Sequence, residues 1–231
     1  MTITQISGTV FPAQSPGYDV VRLPQTWATL IAADDPLWNG ATVIEWGPER
    51  YRTRFQACWD RLALHVRFDA VDDGPWHTMT TRDDHIWEEE VVEIFLDADG
   101  SGRNYAELEI NPVNVVCDLI VESPWPSLTS LTEWDWAGMT TAVVPLEDRC
   151  GTAQGWTALA RLPWSGLRSL YPAPAVALPP RPGDAWRCNV FRIKRPGGPT
   201  RPQDGVVLAA WSRPAGPSFH DPAAFRPMVF R

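Results

Sequence analysis

Residues 87–122 read WEEEVVEIFLDADGSGRNYAELEINPVNVVCDLIVE. With a side-chain period of two, Val92, Ile94 and Leu96 share one side, while Val91, Glu93 and Phe95 share the other. In the next run Ala106, Leu108 and Ile110 alternate with Tyr105, Glu107 and Glu109. A hairpin through residues 97–104 that pairs Ile94 with Leu108 stacks the apolar sets together and brings Glu93 opposite Glu109. After the Asn111-Pro112 break, Val115, Cys117, Leu119 and Val121 supply a third apolar edge, with Asp118 and Glu122 on the other side. One face of this three-stranded unit is therefore core, and the other carries carboxylates among aromatics.

A wet face with solvated acids is ordinary in an antiparallel sheet. Glu93 departs from that pattern, because Val91 and Phe95 flank it and Trp87 shortly precedes it. A carboxylate in such surroundings must accept hydrogen bonds, either from an arginine of its own sheet or from a polyhydroxyl or cationic ligand.

Outward from this stretch the same grammar repeats. Residues 18–23, 42–46, 139–144, 155–162, 186–193, 206–211 and 225–230 read as strands, and residues 51–57 and 62–68 as a hairpin. A further edge strand is expected around residues 8–11. Residues 26–38 read as a short helical turn or loop, residues 69–84 as a polar loop long enough to bind something, and residues 170–182 as too proline-rich for a central strand. No long amphipathic helix, linker or internal repeat interrupts the series. The expected fold is all-β, an antiparallel β-sandwich of jelly-roll or immunoglobulin-like type, with residues 1–231 as a single domain and residues 1–30 as a peripheral N-terminal segment.

A formal charge of -8 with no lysine or arginine cluster argues against a general nucleic-acid binder. No run approaches the 18 or so apolar residues of a membrane span. The opening MTITQISGTVFPAQ lacks a basic start followed by an apolar run, and Cys58, Cys117, Cys150 and Cys188 are widely spaced. Both observations set a cytoplasmic location with free thiols as the expectation. Thirteen tryptophans exceed what a core of this size requires. Partly exposed indoles are suited to stacking on the C–H face of a sugar ring.

Asp97, Asp99 and Ser101 place oxygen donors at alternate positions of a glycine-containing loop, as in the opening of a calcium loop, although Leu108 stands where the twelfth-position Glu would be. The alternative is a decorated hairpin turn. Calcium is the one cofactor these residues leave open. Paired carboxylates such as Glu93 and Glu109 also raise glycoside processing, but catalysis needs acids on opposed sides of a bound sugar. No nucleophile elbow, P-loop or dinucleotide fingerprint is present.

An ordered series of short patterns resembles the family 9 carbohydrate-binding modules and their DOMON-like relatives, which are β-sandwiches. The series comprises Asp35-Pro36-Leu37-Trp38, Trp59-Asp60-Arg61-Leu62-Ala63-Leu64-His65-Val66, and Trp87-Glu88 through Val92-Glu93-Ile94-Phe95-Leu96. It continues with Tyr105 to Asn111-Pro112, Gly155-Trp156 to Pro163-Trp164, Asn189-Val190-Phe191-Arg192, and His220-Asp221-Pro222 to Phe230. The resemblance implies a sugar held between two tryptophans, with Trp87 as one platform and Glu93 as the hydroxyl-accepting carboxylate. The family's arginine position is Glu109 here, Asn189 matches its asparagine, and Arg192 stands where the second platform tryptophan is expected. An ion pair from Arg192 to Glu93 or Glu109 would restore the charge arrangement. The family's structural calcium adds support for the Asp97 loop. Haem, which some DOMON-like relatives bind, finds no evident axial pair among Met79, Met139, His65 and His85.

The resulting expectation is non-catalytic binding of a carbohydrate or related polyol on the Glu93 face, by Trp87, Glu93, Glu109, Asn189, Arg192 and Trp211, with Trp125 as another wall. A protein-interaction or structural sandwich is the alternative, since exposed tryptophan and arginine also mark interfaces. A glycoside-processing enzyme is the second alternative.

Overall fold

The computed structural model describes residues 16–171 and 175–231. The strand expected around residues 8–11 lies outside them. Thirteen strands follow in chain order: β1 (Tyr18–Arg22), β2 (Val43–Trp46), β3 (Thr53–Trp59), β4 (Ala63–Val71), β5 (Val91–Asp97), β6 (Tyr105–Ile110), β7 (Val116–Ser123), β8 (Thr129–Leu131), β9 (Thr140–Glu147), β10 (Ala153–Pro163), β11 (Ala185–Lys194), β12 (Val207–Ala210) and β13 (Arg226–Phe230). Hydrogen-bonded neighbours run β8-β7-β6-β5-β11-β13-β1-β3-β4-β10-β9, with β12 added to β11 and β2 to β3. β1 is the seam: residues 18–20 pair parallel with β13, and Val21 and Arg22 pair parallel with β3. Tyr18 and Val20 are fully buried there, so residues 18–22 are central and not part of a peripheral segment.

The two halves of this path face each other across the main core. Val92, Ile94, Leu96, Ala106, Leu108, Ile110 and Val190 come from one half, and Phe55, Trp59, Leu64, Val66, Phe68, Ala158 and Leu162 from the other. This is the β-sandwich the alternation predicts. The hairpin register is also as expected: Ile94 pairs with Leu108 and Glu93 with Glu109.

Two of the short patterns are local devices. Asp60 accepts from the backbone N–H of Leu62 and Ala63 at 2.6 and 3.0 Å, and so turns β3 into β4. Asp35 accepts from Leu37 N–H at 2.9 Å and caps a short 3-10 turn that seats Trp38 against Cys58 and Leu159 on the outer face of the second half.

The third strand of the organising stretch departs from expectation. Cys117 pairs with Glu109, and Leu119 with Glu107, so Cys117, Leu119 and Val121 lie on the carboxylate face. Asp118 points the other way and is fully buried, accepting from Trp136 N–H and pairing with Arg82. The Asn111-Pro112 turn shifted the parity by one. Both faces of this strand are buried, so an apolar alternation could not reveal the direction.

Candidate functional site

The outer face of β5, β6, β7 and β11 is not a wet face. Phe95, Tyr105, Cys117, Leu119, Val121, Phe191 and Ile193 form a second apolar cluster there, with Trp87 and Phe219 packed against it. Residues 217–220 lie over this face: Phe219 stacks on Phe191 with ring centroids 4.2 Å apart, and His220 stacks on Phe95 at 5.1 Å. Between this cover and β8 a cavity of about 350 Å³ remains. Its walls are Trp87, Leu119, Leu128, Ile193, Leu208 and Phe219, and its floor is Glu93, Glu107 and Glu109.

The floor follows from strand register. Glu93 and Glu109 are cross-strand partners, and Glu107 is two residues along from Glu109 on the same face. Their side chains are 98%, 98% and 96% buried in the same order, since they are exposed by 2%, 2% and 4%. Glu93 Oε1, Glu107 Oε2 and Glu109 Oε2 have no hydrogen-bond partner. Burial pushes all three carboxyls up: Glu107 to about 7, and Glu93 and Glu109 well above the ordinary carboxylate range. After burial, the charge of Glu107 raises Glu93, and the charges of Glu93 and Glu107 raise Glu109. Contact between the Glu107 and Glu109 carboxyls lowers Glu107 and raises Glu109, and the nearby Trp87 backbone amide lowers Glu109. Each of the three offers an oxygen within 4.8 Å of the other two, the only such group of acid, His or Cys side chains among the described residues. The arrangement could hold a divalent ion in principle.

His220 Nδ1 lies 3.8 Å from Glu107 Oε2, but this is not an ion pair. Burial drives the imidazole down to about 4, so it is neutral at physiological pH, and its Nδ1 shares a hydrogen bond with the Tyr105 hydroxyl at 3.0 Å. Trp87 is half-buried and stacks on His85 with centroids 4.5 Å apart. Arg195 at the cavity's edge donates to the carbonyls of Trp87 and Pro202 and to Gln203. The long loop before β5 is held down by Glu89, which accepts from Thr78 N–H and its hydroxyl and from Met79 N–H.

The structure thus brings Trp87, Glu93 and Glu109 to one cavity and leaves Asn189, Arg192 and Trp211 out of it. Phe191 pairs with Glu93, so Arg192 shares the inner face of Val92. It is fully buried, pairs with Asp72, and stands 4.8 Å over the Trp156 ring. Lys194 joins the same network by contacts of 2.7 Å to Asp72 and 2.8 Å to Glu90. An Arg192 pair with Glu93 or Glu109 is ruled out, because the sheet separates them. Asn189 is on the Glu93 side, yet its amide donates to Ser212 O at 2.7 Å, and its carbonyl accepts from Ser212 and Val190 N–H at 3.1 and 3.0 Å. Trp211 is in the main core, edge-on to Tyr18 at 6.4 Å. Trp125 is 51% exposed, near the pocket cover, where its N–H donates to His220 O at 3.3 Å.

The Asp97 loop closes on itself. Asp97 accepts from Gly100 and Gly102 N–H at 2.9 Å each, Asp99 accepts from Ser101 N–H at 2.9 Å, and Ser101 Oγ donates to Arg103 O at 2.8 Å. Gly100 and Gly102 adopt φ of 71° and 73°, which the turn needs. Among the described residues no third acid joins Asp97 and Asp99. These carboxylate oxygens accept from the turn's own amides, which is the bonding of a hairpin turn.

Glu107, Phe219, His220, Leu119 and Leu128 were not singled out from the sequence as site residues. The parity of Glu107 with Glu109 was the one available signal. The others reach the cavity only through the tertiary fold.

Residues 25–116 match the sequence model of the family described as Carbohydrate family 9 binding domain-like. A solved structure of a protein from Bacteroides uniformis, described as carbohydrate-binding, superposes with a TM-score of 0.71 at 13% identity, covering 94% of this chain and 100% of that one. A family 9 carbohydrate-binding module from Caldicellulosiruptor kristjanssonii in complex with cellotriose gives a TM-score of 0.61 at 15% identity, with 93% of each chain covered. Its complex with glucose gives 0.61 at 14%, covering 92% of this chain and 95% of that one. At these identities the structures establish a shared fold. No curated protein matches in sequence. The chain is therefore family-9-like in sequence over residues 25–116 and in fold over nearly its whole length.

The cytoplasmic expectation is corrected by this likeness, since modules of the matched family are characteristically secreted carbohydrate-binding domains. The thiols do not bear on location. Cys58, Cys117 and Cys188 are free and buried in three separate clusters, so burial keeps them apart in any compartment. No helix among the described residues is long and apolar enough to cross a membrane.

Proposed function

We propose that this chain is a non-catalytic carbohydrate-binding module, acting as one domain, whose ligand enters the cavity over Glu93, Glu107 and Glu109. The carrying observation is the union of an aromatic and aliphatic wall with unpartnered carboxyl oxygens on the floor. A pyranose presents an apolar C–H face and a rim of hydroxyls, and this cavity offers a surface for each. Trp87 and Phe219 take the ring, and the three acids take hydroxyls. Trp125, exposed near the cavity's cover, supplies a platform for a neighbouring unit of a longer chain.

Binding without catalysis fits the placement of the acids. All three rise from one face of one sheet, so they address the same side of a bound sugar, whereas glycoside hydrolysis needs a pair astride the bond. The likeness to family 9 modules, one of them solved with cellotriose and with glucose, supports the same reading.

Tryptophan fluorescence titrated with mono- and oligosaccharides tests the proposal. A saturable change, lost in Trp87→Ala while the unfolding transition is kept, is the expected result. No saturable response to any sugar would reject it.

A further inference from the structure

The floor of the cavity has a charge demand that neutral hydroxyls do not meet. Glu93, Glu107 and Glu109 each leave one buried oxygen without a donor, and the three carboxyls each offer an oxygen within 4.8 Å of the others. No lysine or arginine among the described residues forms an ion pair with any of them. Arg192 and Lys194 are committed to Asp72 and Glu90 on the far side of the sheet, and Arg195 to groups at the cavity edge. The one basic side chain in contact, His220, is neutral and its Nδ1 is hydrogen-bonded with the Tyr105 hydroxyl.

We propose that the cavity takes a sugar bearing a protonated primary amine, with the ammonium seated among Glu93, Glu107 and Glu109 and the ring against Trp87 and Phe219. This rests on the carbohydrate reading above and names the ligand class for the same cavity. An ammonium has three N–H donors and no acceptor. With N···O distances of about 2.8 Å and tetrahedral directions, its three acceptors stand roughly 4.6 Å apart. That agrees with three oxygens lying within 4.8 Å of one another. A hydroxyl donates a single hydrogen and brings lone pairs of its own toward the remaining carboxyls. An ammonium instead favours the ionised form of acids that burial otherwise keeps protonated, in a site where burial strengthens the attraction.

A bare divalent ion meets the same three oxygens but fits the rest of the cavity poorly. Calcium takes about six to eight oxygens at close range. Beyond the floor the lining is mostly hydrocarbon, and the space of about 350 Å³ is that of an organic molecule. The formal charge of -8 adds a favourable field for a cationic ligand.

Isothermal titration of the full chain near neutral pH, where Glu107 begins to ionise and a sugar ammonium still keeps its proton, in chelator, with three matched β-1,4-linked disaccharides tests the assignment: the glucosamine dimer, its N-acetylated form, and cellobiose. The expected result is about tenfold or tighter binding of the free-amine dimer over both neutral ones. That preference is expected to weaken with salt and to collapse in Glu93→Gln. Glu109→Gln and the wild-type ligand comparison serve if Glu93→Gln does not fold. Cellobiose binding as tightly as the amine would overturn the amine assignment and leave the carbohydrate reading standing. Neutral-sugar binding that appears only with added calcium would assign the three acids to a metal and overturn it as well. No saturable binding of any of the three would overturn both.

Discussion

Glu107→Gln offers a quantitative test of the cavity's electrostatics without any ligand. Glu107 is held at about 7 in the fold, against 4.5 for an unstrained glutamate, with burial as the main cause. A raised carboxyl binds its proton more tightly in the folded than in the unfolded state. The stability it contributes is full below pH 4.5, falls as pH rises, and is gone above about 7. At about 1.4 kcal/mol for each pH unit of displacement, ionising this one group costs the fold at most about 3 to 4 kcal/mol at pH 8. Glutamine keeps the shape, carries no charge, and its NH2 can donate to Glu109. Urea unfolding from pH 4.5 to 8.5 should therefore give two curves that nearly meet at the acid end and separate by about 1 to 3 kcal/mol at pH 8, the variant being the more stable. His220 adds a slope of its own: its lowered value destabilises the fold as pH falls from 6.5 toward 4, a range in which Glu107 is mostly protonated and the two proteins differ least. A difference that stays constant across the range, or a variant less stable at pH 8, would refute the view of a buried, electrostatically strained carboxyl.

Three further outcomes are expected. Asp72→Asn should cost roughly 3–5 kcal/mol in denaturant unfolding, because Arg192 and Lys194 lose the carboxylate they share inside the sandwich; a loss below about 1 kcal/mol would mean the network is solvated. Asp97→Ala should lower stability by about 1–3 kcal/mol through the loss of two hairpin hydrogen bonds, and the wild-type thermal midpoint should not respond to calcium or chelator. A clear midpoint rise with calcium that Asp97→Ala abolishes would restore the loop as a metal site. Leu119→Asp, on the cavity wall, should abolish sugar binding, whereas Leu62→Asp on the distant β3–β4 turn should leave it intact; equal effects of the two would remove the ligand from the cavity.

What the sequence determined is what period-two alternation and turn chemistry can carry. The Val92–Ile94–Leu96 and Ala106–Leu108–Ile110 sets fixed which face of the first hairpin enters the core, and the turn through residues 97–104 set the register that places Glu93 opposite Glu109. Asp60 and Asp35 announced their turns because a short carboxylate bonding to nearby amides is a local event.

The parity of β7 was illegible, because both of its faces are buried and an apolar alternation has two equivalent readings. Arg192 was misread for a different reason. Its place was set by the resemblance, where it stands at the second platform tryptophan's position, and only the fold reveals that Asp72, 120 residues away, meets it in the interior. Thr129–Leu131 was missed as a strand, since an exposed edge of three residues carries no pattern. The cavity itself belongs wholly to the tertiary structure. Phe219 and His220 become its cover by stacking on Phe191 and Phe95, contacts between rings far apart in the chain. That cover turns an ordinary wet sheet face into a place where three carboxyls are buried together.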